Sequence, residues 1–115
     1  MSIDEGHVIS WDISTFEKFT LCNFSIASSG GLLEPYSLNR SNLPENLEMS
    51  KGLILSGRGP IWLYGYLVHL AHTFAWIALY DPRLGGAVVI ERHVKNAPKL
   101  GEIIKLSEYP KPEVT

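Results

Sequence analysis

The stretch GLILS (52–56), GRGP (57–60), IWLYGYLVHLAHT (61–73) and WIALY (76–80) decides how this chain folds. The first piece is a short apolar run, the second a cluster of helix breakers, the third a mostly buried helix and the fourth another apolar run. That order spells a β-α-β unit, whose two strands run parallel and are joined by a right-handed crossover, the unit of doubly wound sheets. DPRLGG (81–86) follows as a tight turn too short for another crossover helix. AVVIERH (87–93) is therefore expected to return antiparallel beside the preceding strand. The expected fold class is α/β: a small mixed sheet with a central β-α-β unit and an antiparallel return strand.

Working outward, EIIKL (102–106) reads as a final strand and residues 107–115 as a frayed tail. On the other side, FTLCNFSI (19–26) mixes β-branched and aromatic residues with alternating polar ones, as a strand does. Residues 1–15 form a lead-in with a strand expected over His7 to Ile13. Ser28 to Pro44 carries Gly30, Gly31, Pro35 and Pro44 and reads as loop, with a short helix expected around Glu45 to Met49. The whole reads as one domain, residues 1–115, with its core in 51–106.

The 115 residues, 45% of them hydrophobic, suffice for one core and not for two. A net charge of −2 argues against a broad basic surface that tracks long DNA or RNA, whereas a small nucleotide ligand needs only a few local cations. The lone Cys22 has no partner for an intramolecular disulfide, and MSIDEGHVIS lacks the order of a secretory signal, so the cytoplasm is the expected compartment. Ile61 to Tyr80 is uncharged for 20 residues, about the length that spans a bilayer. His69, His72, Thr73 and Gly65 within it, and the change of spacing near Thr73, favour a buried helix followed by a buried strand, and no membrane partner is expected.

Ser56, Gly57, Arg58, Gly59 and Pro60 lie where a strand gives way to a helix. Glycines let the backbone approach an anion, amides at the helix start point at it, and Arg58 adds a cationic fork. Neither the GxGxxG nor the Walker spacing is met, so a strand-to-helix turn with a solvated arginine is the competing reading. Asp81-Pro82-Arg83 lies past the carboxyl end of the next parallel strand, the edge where open α/β sheets bind ligands. There Asp81 could orient an attacking hydroxyl or help hold a metal, and Arg83 could neutralise a phosphodiester. Equally, Asp81 could pair with Arg83 or cap the turn.

His69 and His72 sit three apart near the helix end. The inferred strand directions bring His93 to the same amino edge, where three imidazoles could bind a divalent metal, or two could bind it while the third serves as acid or base. A helix of about 12 residues is about 18 Å long, so these histidines and Asp81 lie near opposite edges of one subunit. If His72 and Asp81 act on one substrate, the amino edge of one subunit must face the carboxyl edge of another, a heterologous contact that propagates into stacks or filaments.

The string SGRGPIWLYGYLVHLAHT, followed by YDPRLGGAVVI, is similar to the core of the small CRISPR-associated ring nucleases of type III systems, of the CRISPR-associated Rossmann-like superfamily. The resemblance covers roughly residues 51–93. It implies a Rossmann-like sheet, and an antiviral-defence enzyme that binds cyclic tetra-adenylate and cuts its phosphodiesters to end the signal. It also implies homodimers that sandwich the ring head to tail in tetramers or filaments. By position, His72 and Asp81 match the family's catalytic residues, Arg83 matches the arginine beside them, and His69 and His93 match histidines linked to manganese. Ser56 to Pro60 would belong to the ligand-facing surface, and Asn23, Ser28 and Ser29 could reach the ligand, though no spacing argument obliges them to.

Either the ring's own 2′-hydroxyl or a manganese-activated water could attack the phosphate, since both routes use histidine, aspartate and arginine. Two rival readings use the same residues: a non-catalytic cyclic oligoadenylate sensor or sponge, and a manganese-dependent exonuclease on linear RNA.

Overall fold

The computed structural model describes residues 8–27 and 33–110. Six strands form one mixed sheet in sequential order: β1 (Ile9–Thr15), β2 (Phe19–Ile26), β3 (Gly52–Gly57), β4 (Trp76–Asp81), β5 (Gly86–Arg92) and β6 (Ile103–Ile104). The three central strands β2, β3 and β4 are parallel to one another, while β1, β5 and β6 pair antiparallel with their neighbours. One helix, α1 (Ile61–Leu70), lies between β3 and β4 in the chain. Among the described residues no helix is long and apolar enough to cross a membrane.

Both faces of the sheet are covered, which is why Gly52 to Leu55 of β3 are buried without interruption. On one face Cys22 and Phe24 of β2, Leu53 and Leu55 of β3, and Ile77 of β4 pack against Leu63, Leu67 and Ala71 of α1 and its C-terminal end. The strand-to-strand crossover before β3 adds Leu38, Leu43 and Leu47 to that layer. The opposite face joins Phe19, Ile54, Trp76, Ala78, Ala87, Val89 and Ile104, with Ala97 and Leu106 closing over it. Alternate residues along each strand thus serve opposite layers, as the two-residue period requires.

The expected Rossmann-like α/β class is corrected by this architecture. Its described residues are mostly β, a mixed six-stranded sheet with a single ten-residue α-helix. The reason lies in the segments flanking the one apolar helix. Among the described residues the crossover from β2 to β3 forms a 3-10 turn over Pro35–Arg40 and no α-helix, and the second sheet face is closed by irregular chain after β5, where a doubly wound fold would place helices. The helix expected around Glu45 to Met49 is likewise absent, and Asn46 there takes a left-handed backbone, φ 66°. The strand expected over 102–106 shortens to two residues, and Leu106–Glu108 turns as a 3-10 segment where the tail was expected to begin. His7, the loop residues 28–32 and the end of the tail, 111–115, lie outside the described residues.

Candidate functional site

At the amino ends of the parallel strands the structure gathers three imidazoles. His69 occupies the last turn of α1, His72 follows directly after the helix, and His93 follows β5. The His93 amide donates to the carbonyl of Ala75 at 2.9 Å, which fixes it beside the start of β4. Ring centroids are 6.5 Å apart for His69 and His72, and 6.4 Å for His72 and His93. All three rings are solvent-exposed. Glu91, two residues before His93 and therefore on the same side of the strand, brings Oε2 to 2.6 Å from His93 Nε2. A register shift against β4 at Ile77 and Ala78 leaves Ile90 as the extra residue just before this pair, the kind of bulge that re-aims side chains at a sheet rim.

At the other end of β4, Asp81 and Arg83 make a tight local unit. The Arg83 backbone amide donates to Asp81 Oδ1 at 2.9 Å, its Nε to the same oxygen at 3.3 Å and its Nη2 to Oδ2 at 3.1 Å. These hydrogen bonds from Arg83 hold the Asp81 carboxyl below its ordinary value of 3.8, and the same contact raises the Arg83 guanidinium further. The arginine side chain is 88% exposed, and its unused N–H donors remain available to a second anion.

Beside this unit, Ser56, Gly57 and Arg58 leave β3 and enter α1 through Gly59 and Pro60. Pro60 stands just before the helix and offers no side-chain cap, while its carbonyl accepts from the amides of Leu63 and Tyr64. Gly57 has φ 140°, and a Cβ there would fall 2.5 Å from the Phe24 carbonyl oxygen. The Tyr64 hydroxyl donates to the Gly57 carbonyl at 2.6 Å, and its ring meets Phe24 edge-on at 5.2 Å. Burial pushes the Tyr64 phenol above its ordinary value of 10.0. Ser56, Gly57 and Arg58 line a cleft of about 650 Å³ with Asn23, Tyr80 and Pro82. An adjoining groove of about 530 Å³ includes Gly57, Gly59, Tyr64 and Asp81.

The sites anticipated from sequence thus divide into two groups. Ser56 to Pro60, Asp81 and Arg83 share the carboxyl edge; His69, His72 and His93 share the amino edge. Six residues of β4 separate them, about 20 Å at the usual strand rise. Imidazole and carboxylate donors together suit a first-row divalent ion, the carboxylate favouring manganese and the imidazoles the later metals of the row. Within one chain, however, Asp81 cannot join His69 and His93 around one ion, and no group of three His, Cys, Asp or Glu among the described residues is arranged to hold a metal. Glu91 and Tyr64 escaped the sequence reading. The alternation in ERH was the available signal for Glu91, whereas Tyr64 depends on how the loop folds back over the first turn of α1.

Two comparisons bear on this arrangement. Over 105 residues the chain is 40% identical to a protein of Aquifex aeolicus (strain VF5) described as "Uncharacterized protein", covering 88% of this chain and 91% of that one. Residues 26–105, which contain both edge groups and begin after the cleft residue Asn23, match the family described as CRISPR-associated protein (Cas_csx3), and the chain belongs to that family.

Proposed function

We propose that this protein is a ring nuclease, which binds cyclic tetra-adenylate and cuts its phosphodiester bonds to switch off type III CRISPR antiviral signalling. The observation that carries the reading is the polarity of the sheet. An anion-ready loop with the Asp81–Arg83 pair stands at one edge, and the histidine group at the other. A substrate held between the carboxyl edge of one homodimer and the amino edge of the next meets both groups, in a head-to-tail contact that can extend to tetramers or filaments.

In this composite site the amides at the start of α1 and Arg58 bind a phosphate of the ring. Arg83, oriented by Asp81, faces the phosphate undergoing reaction and neutralises charge that grows on its oxygens. His72 of the opposing chain removes the proton from the adjacent ribose 2′-hydroxyl as that oxygen bonds to phosphorus. The bond from phosphorus to the 5′-oxygen breaks, the 5′-oxygen takes up a proton, and a 2′,3′-cyclic phosphate is left. His69 and His93 of one chain with Asp81 of another would hold manganese, which supplies further charge neutralisation at the phosphate. Glu91 holds the His93 ring in a fixed orientation, as outer-shell carboxylates do for ligand histidines.

The test is incubation of the purified protein with labelled cyclic tetra-adenylate, with and without manganese, resolving products by mass. Ring opening by the wild type, and its loss in His72→Ala and in Asp81→Ala, is expected. A terminal cyclic phosphate identifies attack by the 2′-hydroxyl, and a simple phosphate identifies attack by water. Tight binding with the ring intact under every condition would make the protein a sensor or sponge. Cleavage of linear RNA tails alone would make it an exonuclease.

A further inference from the structure

We infer that the cleft at the carboxyl edge reads an adenine base, with the side-chain amide of Asn23 as its specificity-determining group and Tyr80 as its stacking surface. The inference rests on the ring-nuclease reading and deepens it by assigning the recognition of the base to residues outside the cleavage machinery.

The argument begins with strand alternation. Leu21, Ile54 and Ala78 belong to the sheet face away from α1, where they pack in its apolar layer. Two residues further along each strand, the same face carries Asn23, Ser56 and Tyr80. Asn23 is registered opposite Ser56, and the pairing of Leu55 with Leu79 brings Ser56 beside Tyr80. The face therefore changes from wholly apolar to amide, hydroxyl and phenol within one step, at the edge where the cleft of about 650 Å³ opens. That volume falls in the range of small-molecule sites.

Asn23 is exposed, and its amide makes no hydrogen bond among the described residues. Such an amide on a β-strand contributes nothing to the core, and it faces a cleft with one donor group and one acceptor side by side. Adenine offers the complement, an N6 amino donor next to the N7 acceptor, which asparagine meets with two bonds. Guanine offers two acceptors on that edge, O6 and N7, which suit an arginine fork. Arg58 also lines the cleft, yet it leaves β3 at the start of α1, where the helix amides already favour a phosphate. The aromatic face of Tyr80 is the surface on which a base stacks.

The test compares equilibrium binding of cyclic tetra-adenylate and cyclic tetra-inosinate to the full chain. Inosine replaces the N6 donor by an O6 acceptor and carries a proton on N1, while the N7 acceptor and the ribose-phosphate ring are unchanged; the Asn23 variants assign any difference to the N6–N7 edge. The wild type is expected to prefer the adenine ring by about 5- to 150-fold, the range of one bidentate base contact. Asn23→Ala should abolish that preference, and Asn23→Thr, a strong strand former, should do the same if alanine disturbs β2. Arg58→Ala should weaken both rings alike and preserve their ratio. A preference that survives in both Asn23 variants overturns the inference while leaving the ring-nuclease reading intact. Equal binding of both rings by the wild type overturns it too, as does a preference for inosine removed by Arg58→Ala. Binding of neither ring overturns this inference and the ring-nuclease reading together.

Discussion

Replacing Gly57 by alanine should damage both the fold and the candidate ligand loop, and the structure sets the scale of the effect. At φ 140° an L-residue sits in a backbone conformation that costs about 1–3 kcal/mol. The new methyl would also fall 2.5 Å from the Phe24 carbonyl oxygen and 2.8 Å from Phe24 Cγ. Phe24 and Gly57 are registered partners in the ladder between β2 and β3, so that carbonyl cannot withdraw without breaking the pairing. Overpacking of this kind adds about 1–3 kcal/mol, which brings the total to about 2–6 kcal/mol. A domain of this size has roughly 5–15 kcal/mol to lose. At roughly 4 °C per kcal/mol the variant should melt at least 8 °C below the wild type in a thermal scan. Gly65→Ala provides the opposite sign. It lies exposed in the middle of α1 with nothing within 4 Å of an added Cβ, so alanine should stabilise by about 0.5–1 kcal/mol. A Gly57→Ala variant as stable as the wild type would refute the claim that Phe24 locks this loop into a preformed shape.

Two further predictions concern the carboxyl edge. Tyr64→Phe keeps the edge-on contact with Phe24 and removes the hydroxyl that holds the Gly57 carbonyl, so it should cost about 0.5–1.5 kcal/mol in urea denaturation; an unchanged midpoint would contradict this. Because Arg83 lowers the folded-state value of Asp81, the stabilisation from this carboxylate is fully present above its unfolded value, near 3.8, and is lost as pH falls through the lower folded value. The melting-temperature gap between wild type and Asp81→Asn should therefore be constant at neutral pH and close below about pH 4; a gap that widens on acidification would contradict the assignment.

The parts of the molecule that follow from local pattern were legible in the sequence. FTLCNFSI forms β2 over the expected residues because its alternate side chains feed two different layers, Phe19 on one side and Cys22 and Phe24 on the other. The apolar run after GRGP forms α1, and the inferred strand directions placed His69, His72 and His93 at one edge and Asp81 at the other. What the sequence hid depends on contacts between distant segments. The second face of the sheet is closed by Ala97, Leu106 and neighbouring irregular chain, which carry no periodic signal, whereas one β-α-β reading leads on to a doubly wound arrangement. A short helix is expected around Glu45 to Met49 after the loop that ends at Pro44, yet Asn46 adopts a left-handed backbone there, which a helix does not accommodate. Arg83 illustrates a different limit. Sequence alone leaves its side chain either a phosphate ligand or the partner of Asp81, and the geometry lets one guanidinium serve Asp81 while retaining free donors.

The central claim is a site built from two chains, and mixing inactive variants tests it most directly. His72→Ala retains an intact carboxyl edge and Asp81→Ala an intact amino edge. In an equal mixture, about a quarter of head-to-tail junctions bring an intact carboxyl edge onto an intact amino edge. The account predicts that each variant alone leaves cyclic tetra-adenylate uncut and that the mixture recovers up to about a quarter of wild-type cleavage. A mixture as inactive as its components, with both variants folded and binding the ring, would contradict a composite site, as would wild-type cleavage by either variant alone.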